Sequence, residues 1–312
     1  SIRVAIGVAI YGVIQHYSGF DFGHWVTGKP QTVTPFWFGG AEGFRTEGLF
    51  PTGITYAHNL LFLLTLLTVR LLTLPMAWRE RVGFLMGWGV MLLALLFSLT
   101  RGVWIAYLIV LFALGAIKGG KTALAVVGFV ALISVTLALV SPGVWERAKY
   151  SFDFQTNLGR SQIWQANLDM IKERPFFGWG YGNYKKFRDD FYKRYPQVDT
   201  TAHAHNNFLQ MWVDGGVISL VAFLLLFWSI LRKGWRAYQR LSVDDDALRT
   251  LALGVTLGIV GFLIGGFTQY NFGDAEVVIV MWGMTGLLMR VYAWTVDDPR
   301  YRNSLVSEEK VM

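Results

Sequence analysis

Polar and apolar positions in this chain alternate in long blocks. A bilayer-spanning helix needs about 20 mainly apolar residues. Eight stretches approach that length: 2–17 (short), 53–72, 82–99, 102–117, 122–141, 206–231, 250–269 and 274–293. Only Thr100 and Arg101 separate the third from the fourth, so the chain must reverse there. The pattern predicts an all-α, polytopic transmembrane helix bundle of about eight spans. Its N-terminal helices occupy 1–141, with a loop at 18–52. A long loop covers 142–205, C-terminal helices cover 206–294, and a tail runs over 295–312. No internal repeat is evident.

Within 142–205 the period becomes helical. Ile163, Trp164, Asn167, Leu168 and Ile171 make one largely apolar face, and Pro175 predicts its end. Arg160 falls in the first turn, on the side of Trp164 and Leu168. Tyr184, Phe187, Phe191 and Tyr195 form a second stripe, bordered by Lys185, Lys186, Arg188, Lys193 and Arg194. That helix either lies at the headgroup level or caps the bundle. Gly178-Trp179-Gly180-Tyr181-Gly182-Asn183 reads as a tight turn, not a dinucleotide fingerprint, because no strand precedes it.

Composition agrees with the blocks. The 312 residues are 54% hydrophobic and 16% charged, and the mean hydropathy is +0.40. Those values indicate an integral membrane protein. The formal net charge of +7 raises nucleic acid as a partner, but the basic residues sit mainly in short inter-helix loops, which orientation in a membrane explains better. The turns 70–81 and 118–121, the loop 232–249 and the tail are all basic and share one side if there are eight spans. The positive-inside rule makes that side cytoplasmic. Arg45, Arg101, Arg160 and His205 then all reach the opposite face. The chain has no cysteine, which excludes disulfides and thiolate chemistry. It opens at Ser1, already inside an apolar run, so residues upstream are expected.

Candidate chemistry lies on that opposite face. Arg101, between two apolar runs, is a functional candidate by default; snorkelling to the interface is the alternative. Arg160 stands at a helix start, where it opposes the macrodipole unless an anion lies nearby. An arginine beside free N–H groups suits a phosphate, as against a surface salt bridge. Arg45, in a Gly-rich outer segment, is a third anion contact or an ordinary loop arginine. His203 and His205 are spaced H-x-H, yet no third ligand stands at a metal-binding spacing. Neutral histidine is a natural general base near pH 7, and His205 with Asn206 and Asn207 opens the span 206–231. Asp274 is a secondary carboxylate. No D-x-D pair in the outer segments offers a divalent-cation site.

These residues carry a resemblance. SLTRG with Arg101 after a span, GRSQIWQANLDMIKERPFFGWGYGNY in a long outer loop, and HAHNNFLQMWVDGGVISL entering the next span together resemble the lipopolysaccharide O-antigen ligase and O-antigen polymerase family. FRTEGLFPTGITYAHNL, with Arg45, looks like the family's upstream arginine segment. The resemblance implies a bacterial inner-membrane, multi-pass glycosyltransferase whose active face is periplasmic. Its donor would be an undecaprenyl-diphosphate-linked glycan and its acceptor lipid A-core, among membrane lipids and with no nucleic acid, cofactor or metal. About twelve helices are usual in the family, so roughly four would precede this chain. Arg101 and Arg160 match its essential arginines and His205 its essential histidine. His203 has no equally firm counterpart. An O-antigen polymerase and a protein O-oligosaccharyltransferase are alternatives within the family. A membrane transporter or a scaffold is the alternative outside it.

Overall fold

The computed structural model describes residues 2–28, 33–38, 41–121, 142–149, 158–195, 198 and 203–298, together with positions 124, 126, 128, 130, 131 and 135. Among the described residues six helices are long and apolar enough to cross a membrane. They are α3 (Gly53–Thr73), α4 (Trp78–Phe97), α5 (Arg101–Lys118), α9 (Asn207–Arg240), α10 (Asp246–Gly265) and α11 (Ala275–Asp297). The expected first span forms α1 (Ile2–Ser18), at the lower limit of spanning length. The expected span at 122–141 lies mostly outside the described residues, as does the tail beyond 298. α9 continues past the expected boundary at 231 because its basic extension stays helical: Lys233 and Arg240 lie over the ring of Tyr292 on α11.

α3 and α10 form the inner pair. α10 turns a glycine face toward α3. A Cβ at Gly254 would meet Leu66, at Gly258 Phe62, at Gly261 Leu61 and at Gly265 His58. Without a hydrophobic driving force inside lipid, such small-residue faces let two backbones approach and pack. Around this pair, α5, α9 and α11 build one core with Phe62, Phe227 and Phe262. α1 and α4 build a second with Tyr56, Leu64, Trp88 and Met91.

The segment 18–52 holds structure that the apolar pattern did not predict. After the short α2 (Phe22–Thr27), strands β1 (Pro35–Phe38) and β2 (Ala41–Phe44) pair antiparallel, Phe38 opposite Ala41. Two glycines between apolar runs, PFWF-GG-AEGF, are a hairpin signal that a search for 20-residue runs passes over. The following turn is bound to α1. Gln15 Oε1 accepts from the Glu47 and Gly48 N–H groups at 2.8 and 2.9 Å, and Thr46 Oγ1 donates to Gly12 O at 3.0 Å.

The long loop supplies α6 (Pro142–Lys149), α7 (Leu158–Glu173) and α8 (Tyr184–Tyr192). α7 ends before Pro175, as its sequence predicts. The apolar stripes of α7 and α8 close on each other and on the start of α9, burying Ile163, Met170, Tyr184, Phe191 and Val213. The stripe of α8 thus faces protein, and the pair caps the bundle.

Glycines fix the joint between cap and bundle. α9 breaks at Gly215 and Gly216, and Gly216 has φ 69°. The break withdraws Val213 O and Asp214 O from the helical ladder. They accept instead from Trp179 N–H and Gly180 N–H, both at 2.8 Å, while Val217 N–H donates to Pro175 O at 2.9 Å. The turn that does this has Gly178, Gly180 and Gly182 at positive φ, the conformation glycine supplies without steric cost.

Candidate active site

Several helix ends meet at one end of the bundle. Asn207 N–H donates to Gly266 O at 2.7 Å, joining the start of α9 to the end of α10. Thr55 Oγ1 donates to Asp274 Oδ2 at 2.6 Å, joining α3 to α11. Gly102, on the first turn of α5, packs against Thr268, and any Cβ there would enter the threonine side chain.

The reversal between α4 and α5 is tight. Leu99 adopts φ 55°, a region unfavourable for a branched side chain. Arg45 holds it: Nε and Nη2 donate to Ser98 O at 3.1 and 2.9 Å, and Nη2 to Thr100 Oγ1 at 3.4 Å. Trp104 Nε1 reaches back to Leu95 O at 3.0 Å. This clamp delivers Arg101 as the first residue of α5.

Arg160 is the third residue of α7. With Arg101 it lines one cleft of about 280 Å³, together with Gly102, Ser161, Trp164 and Thr268. Among the described residues that line it there is no carboxylate. Burial, and then the like charge of Arg101, hold the Arg160 guanidinium below its ordinary pKa. Two cations beside two helix N-termini make a region of concentrated positive potential.

His205 precedes α9 in a left-handed conformation, φ 49°. Its Nδ1 lies 2.8 Å from Gln269 Oε1. With the amide oxygen accepting, Nδ1 carries the proton and Nε2 presents its lone pair. Burial lowers the pKa of His205; the Gln269 bond opposes that, and the charge of Arg160 adds to it. The imidazole is therefore neutral near pH 7 and lies within the field of Arg160. Thr268 on the cleft wall and Gln269 on the imidazole are chain neighbours, so the α10–α11 turn serves both.

The neighbouring polar residues hold the frame. Asn206 caps α9, its Oδ1 accepting from Phe208 N–H and Leu209 N–H, while its Nδ2 donates to Phe267 O at 3.0 Å. Asn207 Nδ2 donates to Asn271 Oδ1 at 2.6 Å. His203 Nδ1 accepts from His205 N–H at 3.2 Å, and the two rings meet edge to face. Burial first, then His205, Arg188 and Lys185, push the His203 pKa down to about 4.

Arg101 and Arg160 thus share one cleft although they come from distant segments, while His205 lies in the field of Arg160 but is not among the residues lining that cleft. Arg45 does not line the cleft; it binds the turn that carries Arg101. Asp274 is engaged with Thr55, and its Oδ1 is buried without a hydrogen bond. Among the described residues no group of three His, Asp or Glu side chains is arranged to hold a metal. Gln269 and Thr268 escaped the sequence reading. Nothing local in FTQYN pairs Gln269 with a histidine 64 positions away.

Residues 87–224 match the model of the O-antigen ligase family. The matched segment contains Arg101, Arg160 and His205, and it bears out the resemblance drawn from the motifs. An uncharacterized protein of Haemophilus influenzae is 36% identical over 75 residues, which cover 23% of this chain and 19% of that protein. The chain therefore aligns with under a fifth of that relative's length. With its apolar helices, the chain is a multi-pass membrane protein that is similar over residues 87–224 to the O-antigen ligase family.

Proposed function

Starting from that family match, we propose that the protein transfers a glycan from undecaprenyl diphosphate to a sugar hydroxyl of lipid A-core. The site would face the periplasm of the bacterial inner membrane. The observation that carries this reading is the pair of guanidiniums that share one cleft, each at a helix N-terminus. Like charges held together under partial burial destabilise each other. A diphosphate reverses that sign and accepts bidentate, charge-assisted hydrogen bonds from each planar fork.

Bond breaking at the anomeric carbon leaves negative charge on the departing diphosphate. Arg101 and Arg160 accelerate the step to the extent that they hold that charge better than the charge of the intact donor. His205 Nε2 takes the proton of the acceptor hydroxyl as its oxygen attacks the anomeric carbon. The carbon–oxygen bond to the diphosphate breaks as the new glycosidic bond forms, and attack opposite the leaving group inverts the centre. Gln269 fixes the imidazole tautomer. Arg45 and Asn206 position the arginine and the histidine without touching the sugar. His203 supports the backbone of His205, and Asp274 is left as a secondary base. The guanidiniums supply the charge neutralisation, and the reaction proceeds without metal.

Substitution tests the assignment. His205→Ala in purified, reconstituted protein lowers kcat by roughly 10²–10⁴-fold, the usual worth of a general base, and leaves donor binding near the parent value. Arg101→Lys keeps charge but loses the fork and weakens binding of the polyprenyl diphosphate. Full turnover after His205→Ala removes the base from the mechanism. Offering a second lipid-linked glycan or a Ser/Thr peptide instead of lipid A-core separates the ligase from the polymerase and protein-glycosylating readings.

A further inference from the structure

The turn following α7 is exposed where a soluble surface would be polar. Phe176, Phe177 and Tyr181 are 65%, 79% and 83% accessible, yet the backbone beneath them is held by the three hydrogen bonds into the break of α9. Trp179 is tied inward by Nε1 to Met170 O at 3.0 Å, and the guanidinium of Arg174 lies over its ring at 4.3 Å. Arg174 is exposed, and no carboxylate is paired with it among the described residues. The knob is thus rigid, aromatic and cationic.

Its height is set by α9. Val217, bonded to Pro175, starts an uncharged run that ends at Arg232. At about 1.5 Å per residue that run rises roughly 22 Å, against a hydrocarbon thickness of roughly 30 Å. The knob therefore stands near the far edge of the hydrocarbon, not above it. It also continues the lipid-facing side of α9, where Ile218, Val221, Leu225 and Trp228 are exposed.

We propose that residues 174–181 are a membrane-interface anchor. Phe176 and Phe177 enter the boundary between headgroups and acyl chains, where aromatic rings concentrate, and Arg174 takes a phospholipid phosphate. Because α7 runs directly into this turn, the anchor holds α7, and with it Arg160, at a fixed depth beside Arg101. That last consequence rests on the proposed diphosphate role of Arg160; the anchoring does not.

The absence of cysteine makes a direct test available. Phe177→Cys, labelled with a bimane dye and placed in nanodiscs of phosphatidylethanolamine and phosphatidylglycerol, is expected to be quenched several-fold more by lipids spin-labelled near the headgroup than by aqueous iodide. Lys186→Cys, on the exposed side of α8, should show the reverse order. Equal aqueous quenching at both positions overturns the proposal. Lipid quenching that appears at position 177 only after lipid A-core is added also overturns it, and assigns the knob to the acceptor. Phe176→Ser with Phe177→Ser should lower transfer while preserving fold by circular dichroism; unchanged transfer with intact quenching in the labelled protein overturns only the positioning of Arg160.

Discussion

The proposed base, His205, shows how surroundings shape an imidazole. An imidazole in water titrates near 6.5; here burial and Arg160 push it lower against the opposing pull of Gln269. A group with a depressed pKa stays neutral as pH falls past 6.5 and protonates only below it. The acid limb of kcat against pH is therefore expected below pH 6.5, read from a reconstituted transfer assay. Gln269→Glu places a carboxylate on Nδ1, which favours the imidazolium, so the limb moves up in pH while the fold is retained. A limb unmoved by that exchange would detach Gln269 from the base. His205 was legible from its sequence as a candidate because neutral histidine is a natural general base near pH 7, although a histidine at a helix start is often only a cap or a satisfied polar group. Its partner was not, since a hydrogen bond between residues 64 apart leaves no local trace.

Elements are joined here through glycines. Gly102 lets α5 touch Thr268, and Gly216 accepts both a positive φ and the close carbonyl of Phe176. Gly102→Val should separate α5 from the α10–α11 turn and move Arg101 from Arg160. Donor affinity then falls while the helical content seen by circular dichroism is kept. Gly216→Ala adds a left-handed penalty of about 1–2 kcal/mol and a clash with fixed backbone. It is expected to lower the melting temperature and to loosen the cap, seen as faster proteolysis between 175 and 200. Arg45 belongs at this scale too. Its sequence allows a third anion contact or an ordinary loop arginine, and in the structure two of its nitrogens bind the reversal at Ser98. Carbonyls orphaned by a helix end attract any nearby donor, and a loop sequence does not say which carbonyl lies within reach.

For the whole molecule, the proposed mechanism has the charge on the leaving group met by Arg101 and Arg160. Transfer is accordingly expected to survive excess EDTA at unchanged rate, whereas raised ionic strength weakens donor binding only modestly because the cleft is partly buried. Loss of activity on chelation, restored by a divalent cation, would require a different account of the diphosphate. Apolar blocks about one bilayer long and a helical period inside the long loop determined the bundle and the existence of α7 and α8, because burial in lipid imposes length and polarity rules that act locally along the chain. The break in α9, the clamp by Arg45 and the pairing of His205 with Gln269 were decided only in three dimensions. Each depends on which segments meet, and that is settled by packing of glycine faces and by unsatisfied backbone groups finding partners far away in sequence.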